Sequence, residues 1–248
     1  VTFHSGGYAR QALNFAKPFS LRGLAFRSVD FVIGVNAQML EMFRAYGVCE
    51  KKMKLILPFA LNRPDPNIEV PRILLEFVNE HEPFLLSVGG LEPEYSHSFL
   101  IDAMEAVLEK QLNAGLVIVG SGSLETMLRE QIASKNYAAR IFIVTGVEHD
   151  ILLHLIEKAD VLLRLTQYDG DAISVREALF LGTPVIATDN GMRPEGVALV
   201  PSLPTPKVLA AKIAEIIATK PAMQLDESGD GQRNVEAVLK VYEDLVAN

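Results

Sequence analysis

Two carboxylates, Asp169 and Glu177, stand eight residues apart in the stretch YDGDAISVREALFLGTPVIATDNGMRPEGV, residues 168–197. Between them a Gly-Asp-Ala-Ile-Ser run, rich in turn formers, hands over to the helical pattern VREALFLG. A turn that delivers a helix leaves the first helical amides without intrahelical acceptors, and the helix dipole adds to their positive character. Amides near residues 172–175 therefore favour an anion in whatever cleft they face. Glu177, about one turn into the helix, is placed to accept hydrogen bonds from ligand hydroxyls. Asp169, before the turn, is placed to address a second polyol group. The same spacing fits a plain capping box, with Ser174 as the cap and Glu177 as its reciprocal partner. Local physics weighs the two readings equally.

Other strand ends offer less. In VIVGSGSLETML a strand ends in Gly120-Ser121-Gly122-Ser123 and a helix begins at once. Glycines there permit close approach of an anion to the backbone, or simply a tight turn capped by Ser123. Gly-x-Gly alone is a weak signal. In VTGVEHD, Gly146 and Val147 follow another strand, at the kind of edge where parallel sheets place ligands. His149 and His154 are five apart, which suits neither a same-face metal pair nor His-Glu-x-x-His, so both read as ordinary helix residues and no metal site is expected.

The elements that position these residues are near-continuous apolar runs: VTF (1–3), DFVIGV (30–35), KLILP (54–58), FLLSVGG (84–90), GLVIVG (115–120), RIFIVTG (140–146), DVLLRL (160–165) and TPVIAT (183–188). Such runs fit parallel strands covered on both faces. Between them Phe99, Ala103, Ala106, Val107 and Leu112 recur at helical intervals, as do Leu124, Leu128 and Ile132. Strand–helix alternation predicts a doubly wound α/β fold with right-handed crossovers. Four prolines within residues 58–72 mark a connector. Residues 83–220 are a plausible domain, whereas 1–62 hold too few strands for a complete one. After the polar loop DESGDGQ, Val235, Val238, Leu239, Tyr242 and Val246 predict a last helix with one apolar stripe.

A formal net charge of −8 over 248 residues excludes a general nucleic-acid or polybasic membrane surface while leaving room for a local nucleotide site. The single cysteine, Cys49, cannot form an internal disulfide, which favours a reducing, cytoplasmic setting. No apolar stretch approaches the ~18 residues of a membrane span. The chain opens with Val1 inside an apparent strand, so an upstream portion is expected.

In order, FLLSVGGLEPEYSHSFLIDAMEA, LVIVGSGSLETMLREQ, IFIVTGV and DVLLRLTQYDGDAISVREALFLGTPVIATDNGMRPEGV resemble the C-terminal domain of retaining GT-B glycosyltransferases, the glycogen-synthase-like and bacterial mannosyltransferase-like group. VTFHSGGY through KLILPFALN looks like the end of that family's N-terminal domain. The resemblance implies two Rossmann-like domains, the first incomplete: residues 1–62 as an acceptor-side remnant, 63–82 as linker, 83–220 as the nucleotide-sugar domain, and 221–248 as tail loop and helix. It implies that Glu177 binds a nucleotide ribose and Asp169 the donor sugar hydroxyls. The amides of Ala172, Ile173 and Ser174 would hold sugar and diphosphate. Gly89, Gly90, Gly120 and Gly122 would line the donor site, Gly146 and Val147 would flank the base, and Gly191 to Glu195 would form a bordering loop. His4 would face the donor sugar.

By this resemblance the chain is a hexosyltransferase-type enzyme that uses a nucleotide-diphosphate sugar, without cofactor or metal, and a glycan, lipid-linked or small-molecule hydroxyl acceptor. Nucleic acid is not a partner, and any peripheral membrane contact would run through the upstream part. Where the family has Arg and Lys for the diphosphate, this chain has Gly90 and Tyr95. Arg193 is the nearest replacement by sequence, with pairing to Glu195 or Asp189 as the alternative. Loss of both cations also keeps open a non-catalytic sugar-nucleotide-binding or scaffold subunit. An epimerase of the same fold fits the context of Asp169 less well.

Overall fold

The computed structural model describes residues 2–3, 12–56, 61–166, 169, 172–191, 193–219 and 230–247. The chain divides into two compact units, one of Val1–Leu61, Tyr168–Ile173 and Ser228–Asn248, the other of Asn62–Gln167 and Ser174–Glu227.

The first unit is built on a parallel sheet of β1 (Thr2–Phe3), β2 (Val32–Gly34) and β3 (Met53–Leu55), in that order. Helix α1 (Leu21–Ser28) starts where Ser20 accepts a hydrogen bond from the Gly23 amide, and α2 (Ala37–Ala45) where Asn36 accepts one from Met39. Val32, Met39, Met42, Phe43 and Tyr46 form its core, with Phe26 packed edge-on against Phe43 and Tyr46. The C-terminal helix, Asp230–Val246, turns Ala237, Val238 and Val241 toward Ile33 and Ile56. The expected apolar stripe is therefore displaced around the helix. Of its residues only Val238 packs inward, and Val235, Leu239, Tyr242 and Val246 are exposed.

The second unit carries the larger sheet. Its strands are β4 (Phe84–Val88), β5 (Gly115–Val119), β6 (Ile141–Val144), β7 (Val161–Arg164), β8 (Val185–Thr188) and β9 (Ala198–Val200). All pair in parallel, in the order β6-β5-β4-β7-β8-β9. Every residue of β5, β7 and β8 is buried, which is why their sequences run apolar without alternation. Helices α3 (Arg72–Glu80), α4 (His97–Leu108), α5 (Glu125–Ala133), α6 (His149–Lys158), α7 (Ile173–Leu181) and α8 (Pro206–Thr219) complete the unit, with α7 crossing from one unit to the other at Ile173–Ser174. Ile101, Met104 and Val107 of α4 share a core with Leu209, Ala210 and Ile213 of α8. Helix α3 lies in the stretch read as a connector. Its prolines all precede the helix, with Pro71 at the N-cap, so they shape its entry without interrupting it. Among the described residues no helix is long and apolar enough to cross a membrane.

Candidate active site

The sheet is wound outward in both directions from its middle. After β4 the chain adds β5 and β6 on one side, then β7, β8 and β9 on the other. In doubly wound sheets such a switch point is where the connections leaving the carboxyl ends diverge. Gly89 and Gly90 follow β4 on one side of it, and Arg164 closes β7 on the other.

Arg164 is only 8 % exposed. Its Nη1 donates to the Val88 carbonyl, and its guanidinium carbon sits 4.9 Å from the centre of the Tyr95 ring. A Cβ on Gly89 would stand 2.6 Å from Tyr95 Cδ1 and 3.1 Å from Arg164 Nη1, so a bare backbone lets the ring and the guanidinium close over this strand end. Tyr95 stacks on His97 with centroids 6.1 Å apart and planes 10° from parallel. The His97 Nε2–H donates to the Gly90 carbonyl at 3.1 Å. Burial pushes the His97 pKa down to about 4, against the pull of the Gly90 carbonyl and with the help of the Arg164 charge. His97 is thus a neutral imidazole that fixes the Gly90 backbone.

The glycines after β5 serve a different purpose. A Cβ on Gly120 would lie 1.8 Å from the Gly89 carbonyl oxygen, and one on Gly122 2.5 Å from that of Leu91. Leu91 N donates to Ser121 O at 3.0 Å and Leu124 N to Leu91 O at 2.9 Å, which ties the two loops together. The Ser123 amide and hydroxyl donate to the Glu92 carboxylate at 2.8 and 2.6 Å, and these two bonds hold the Glu92 carboxyl below its usual range. A carboxylate of the chain itself occupies the amide on which an anion reading of this turn depends.

Glu177 lies in the second turn of α7 and is 3 % exposed. Its Oε1 is 3.1 Å from His149 Nε2, at the first position of α6. Burial raises the carboxyl pKa, and His149 partly opposes that rise. Helix α7 begins at Ile173, so Ser174 is inside its first turn, buried, rather than ahead of it as a cap would be. Gly146, exposed and at φ +66°, turns the chain between β6 and α6, with Val147 half-buried beside it.

Arg193 directs its fork at backbone. Nε donates to the Thr188 carbonyl at 3.0 Å, and Nη2 lies 3.2 Å from the carbonyl of Thr166 and 3.4 Å from that of Arg164. With the Thr188 hydroxyl donating to Thr166 O at 2.6 Å, these bonds clamp the ends of β7 and β8. Gly191, at φ +76°, donates its amide to Asp189 Oδ1 at 2.9 Å. Asp169 is half-buried and, with Ala172 and Ile173, belongs to the other unit. His4 lies outside the described residues.

Glu177, Gly89, Gly90, Gly146 and Arg193 all fall at carboxyl-end connections of one sheet or on the helix that follows one. From the sequence His149 reads as an ordinary helix residue and Tyr95 only as the place of a missing cation, and neither Arg164 nor His97 stands out as a site residue. Arg164 alone carried a local signal, a charge inside the apolar run DVLLRL.

A parallel sheet wound both ways from β4, with helices on its connections, defines a doubly wound α/β domain. Residues 76–227, more than half of the chain, match the family model described as Glycosyl transferases group 1, and the chain belongs to that family. An uncharacterized glycosyltransferase of Methanocaldococcus jannaschii, MJ1607, is 32 % identical over 114 residues, 46 % of this chain and 29 % of the relative. The chain thus spans under a third of that protein. Among solved structures, sucrose-phosphate synthase from Thermosynechococcus elongatus superposes with a TM-score of 0.72 at 21 % identity, over 99 % of this chain and 67 % of that one. The pneumococcal O-GlcNAc transferase GtfA, in complex with UDP and GlcNAc, gives 0.71 at 19 % identity, over 100 % and 52 %. These neighbours are GT-B glycosyltransferases and share the fold, the doubly wound α/β architecture expected from the sequence.

Proposed function

We propose that the chain is the donor-binding part of a retaining glycosyltransferase that takes a sugar from a nucleotide-diphosphate sugar and passes it to a hydroxyl acceptor. The observation that carries this reading is Glu177. A carboxylate 3 % exposed is costly to fold around, and burial already pushes it toward its proton. Such groups concentrate at functional sites. On a helix that leaves the carboxyl-end side of the sheet, it is suited to accept from the two hydroxyls of a ribose. The UDP bound in the structure of GtfA, a protein of the same fold, supports a nucleotide ligand.

In the proposed step the bond between the sugar's anomeric carbon and the diphosphate breaks while the acceptor oxygen bonds the same carbon from the same face. The acceptor proton passes to a leaving phosphate oxygen. Negative charge grows on the diphosphate, and amides at the start of α7 favour it there. Neither a metal nor an enzymatic nucleophile is required.

The absence of cations at Gly90 and Tyr95 favours a second reading, a subunit that binds sugar nucleotides without turning them over. A panel of UDP-, GDP- and ADP-sugars, followed by nucleotide release and by the anomeric configuration of the product, separates the two. Release with retained configuration is expected. Inverted configuration refutes the retaining step, and tight binding without release in the presence of acceptors transfers the protein to the second reading.

A further inference from the structure

The formal charge of −8 is not spread evenly along the chain. Residues 1–56 carry eight Lys and Arg against three Asp and Glu, and the remainder carries fifteen against twenty-eight. The basic stretch also holds large apolar side chains that the fold leaves outside. Phe19 is 86 % exposed and Leu21 87 %, with Phe15 and Leu24 exposed on either side of them in sequence. Lys17 and Arg22 are interleaved with these four. Exposed apolar side chains among cations suit the boundary between lipid headgroups and acyl chains, where each type meets its own kind of surroundings. We propose that residues 15–24 form a docking surface for an anionic lipid membrane.

The backbone beneath this surface is firmly held. Ser20 accepts from the Gly23 amide to start α1, and its hydroxyl donates to the Lys17 carbonyl at 2.7 Å. A Cβ on Gly23 would lie 2.3 Å from the Pro18 carbonyl oxygen, so the loop ahead of α1 folds tightly against the helix. Gly23 is buried, and Phe26 turns inward to meet Phe43 and Tyr46. Leu21 and Leu24, three residues apart, are neighbours on the outer side of the helix. The Arg27 guanidinium carbon stands 5.3 Å from the centre of the Phe19 ring, which keeps that ring beside a charge at the surface.

Charge decides the occupant. Between residues 12 and 40 the sequence has one acid, Asp30, beyond the end of α1. Lys52 donates to the carbonyls of Arg27 and Val29 at 3.4 and 3.1 Å, which adds a further cation at that end of the helix. Successive residues of β2 face opposite sides of the sheet: Val32 joins the core with Met39 and Phe43 of α2, and Ile33 the core with Val241 of the C-terminal helix. The acids of that last helix therefore lie across the sheet and do not offset the basic face. Lipid phosphates match Lys17, Arg22 and Arg27, and acyl chains match the two phenylalanines and two leucines. An apolar protein groove would match only the second set and a nucleic acid only the first. The membrane contact expected to run through an upstream part would, on this assignment, run through residues 15–24.

The test is cosedimentation of the chain with vesicles of phosphatidylcholine alone and of phosphatidylcholine with about one third phosphatidylglycerol, at about 50 and 300 mM salt. The wild type should bind the mixed vesicles at low salt, leave them at high salt, and bind the neutral ones at least about tenfold more weakly. Lys17→Gln with Arg22→Gln should weaken binding to mixed vesicles about 25-fold, at roughly fivefold per charge removed. Phe19→Ser with Leu21→Ser should weaken it at least about tenfold with little change in melting, since both side chains are exposed. Binding left intact by either double variant overturns the assignment to residues 15–24, and equal binding to neutral and mixed vesicles overturns the anionic surface. A wild type that ignores both vesicles also overturns the proposal. If it sediments instead as a dimer that Phe19→Ser with Leu21→Ser dissolves, the surface joins two copies of the chain. Sugar transfer plays no part in these readouts, so they fail or succeed apart from the donor-site reading.

Discussion

Replacing Glu177 with glutamine separates what the carboxylate does for a ligand from what it does to the fold. The amide keeps the volume of a side chain that is 3 % exposed and removes only its charge. If the carboxylate accepts ribose hydroxyls, nucleotide affinity should fall by about 1.5–3 kcal/mol, the worth of a hydrogen bond to a charged group, or roughly tenfold to 150-fold in Kd. The effect on stability has the opposite sign. Burial holds the folded-state pKa of Glu177 above its ordinary 4.5, so the folded chain binds this proton more tightly than the unfolded one. The stability associated with this group is complete below pH 4.5 and is lost as pH rises through the folded value. At pH 7, above the range in which that stability is complete, the wild type has lost stability to the burial of Glu177, which His149, 3.1 Å away, offsets only in part. Glu177→Gln should melt higher than wild type at neutral pH, and the gap should close below about pH 4.5. Thermal melts from pH 4 to 8, beside calorimetric titration with UDP and GDP, read both effects. A variant that melts higher yet binds nucleotide unchanged refutes the ligand role. One that binds more weakly but melts lower at pH 7 shows that the His149 contact outweighs burial, against the balance argued here.

Two further substitutions test how the site is framed. Ser96 holds φ +54° at the entry to α4, so Ser96→Gly should raise stability by about 0.5–1 kcal/mol once the greater freedom of unfolded glycine is subtracted from the left-handed strain. A lower melting temperature would show the serine to be stabilised by something other than its backbone. Gly120→Ala forces a methyl to within 1.8 Å of the Gly89 carbonyl oxygen, backbone against backbone, and should cost at least about 2 kcal/mol and pull β4 and β5 apart at their carboxyl ends. Unchanged melting would mean that these two loops are not held together as described.

Of the nine strands among the described residues, eight fall in apolar runs of the sequence, most plainly β5, β7 and β8, whose burial on both faces leaves no polar positions to confuse the pattern. The exception, β9, is a three-residue edge strand with Ala198 half-buried and Leu199 exposed, too short and too polar in context to stand out from the loop before it. Helix α3 was hidden by the prolines ahead of it. The C-terminal helix was found, but its inward face was misplaced because exposed Leu239, Tyr242 and Val246 outweigh the smaller Ala237 and Val238 on any apolar count.

Chemistry was less legible than architecture, for a reason that the two loops after β4 and β5 make concrete. Gly-Ser-Gly-Ser after β5 has the look of an anion cradle, yet the space at Gly120 and Gly122 is filled by the carbonyls of Gly89 and Leu91, and Glu92 takes the Ser123 amide. Gly-Gly after β4 looks no different in the sequence, but the space at Gly89 is filled by a phenol ring and a guanidinium. A glycine that abuts the backbone of the next loop is explained by packing of the two loops, whereas one that abuts a side chain from another strand is explained only once that strand is in place. Which of the two holds depends on the neighbouring strand, and β7 arrives beside β4 only after two intervening strands and their helices. The clue available in one dimension was the complementary one. An arginine inside a strand buried on both faces is expensive unless something meets its charge, and it points to the switch point more directly than either glycine pair.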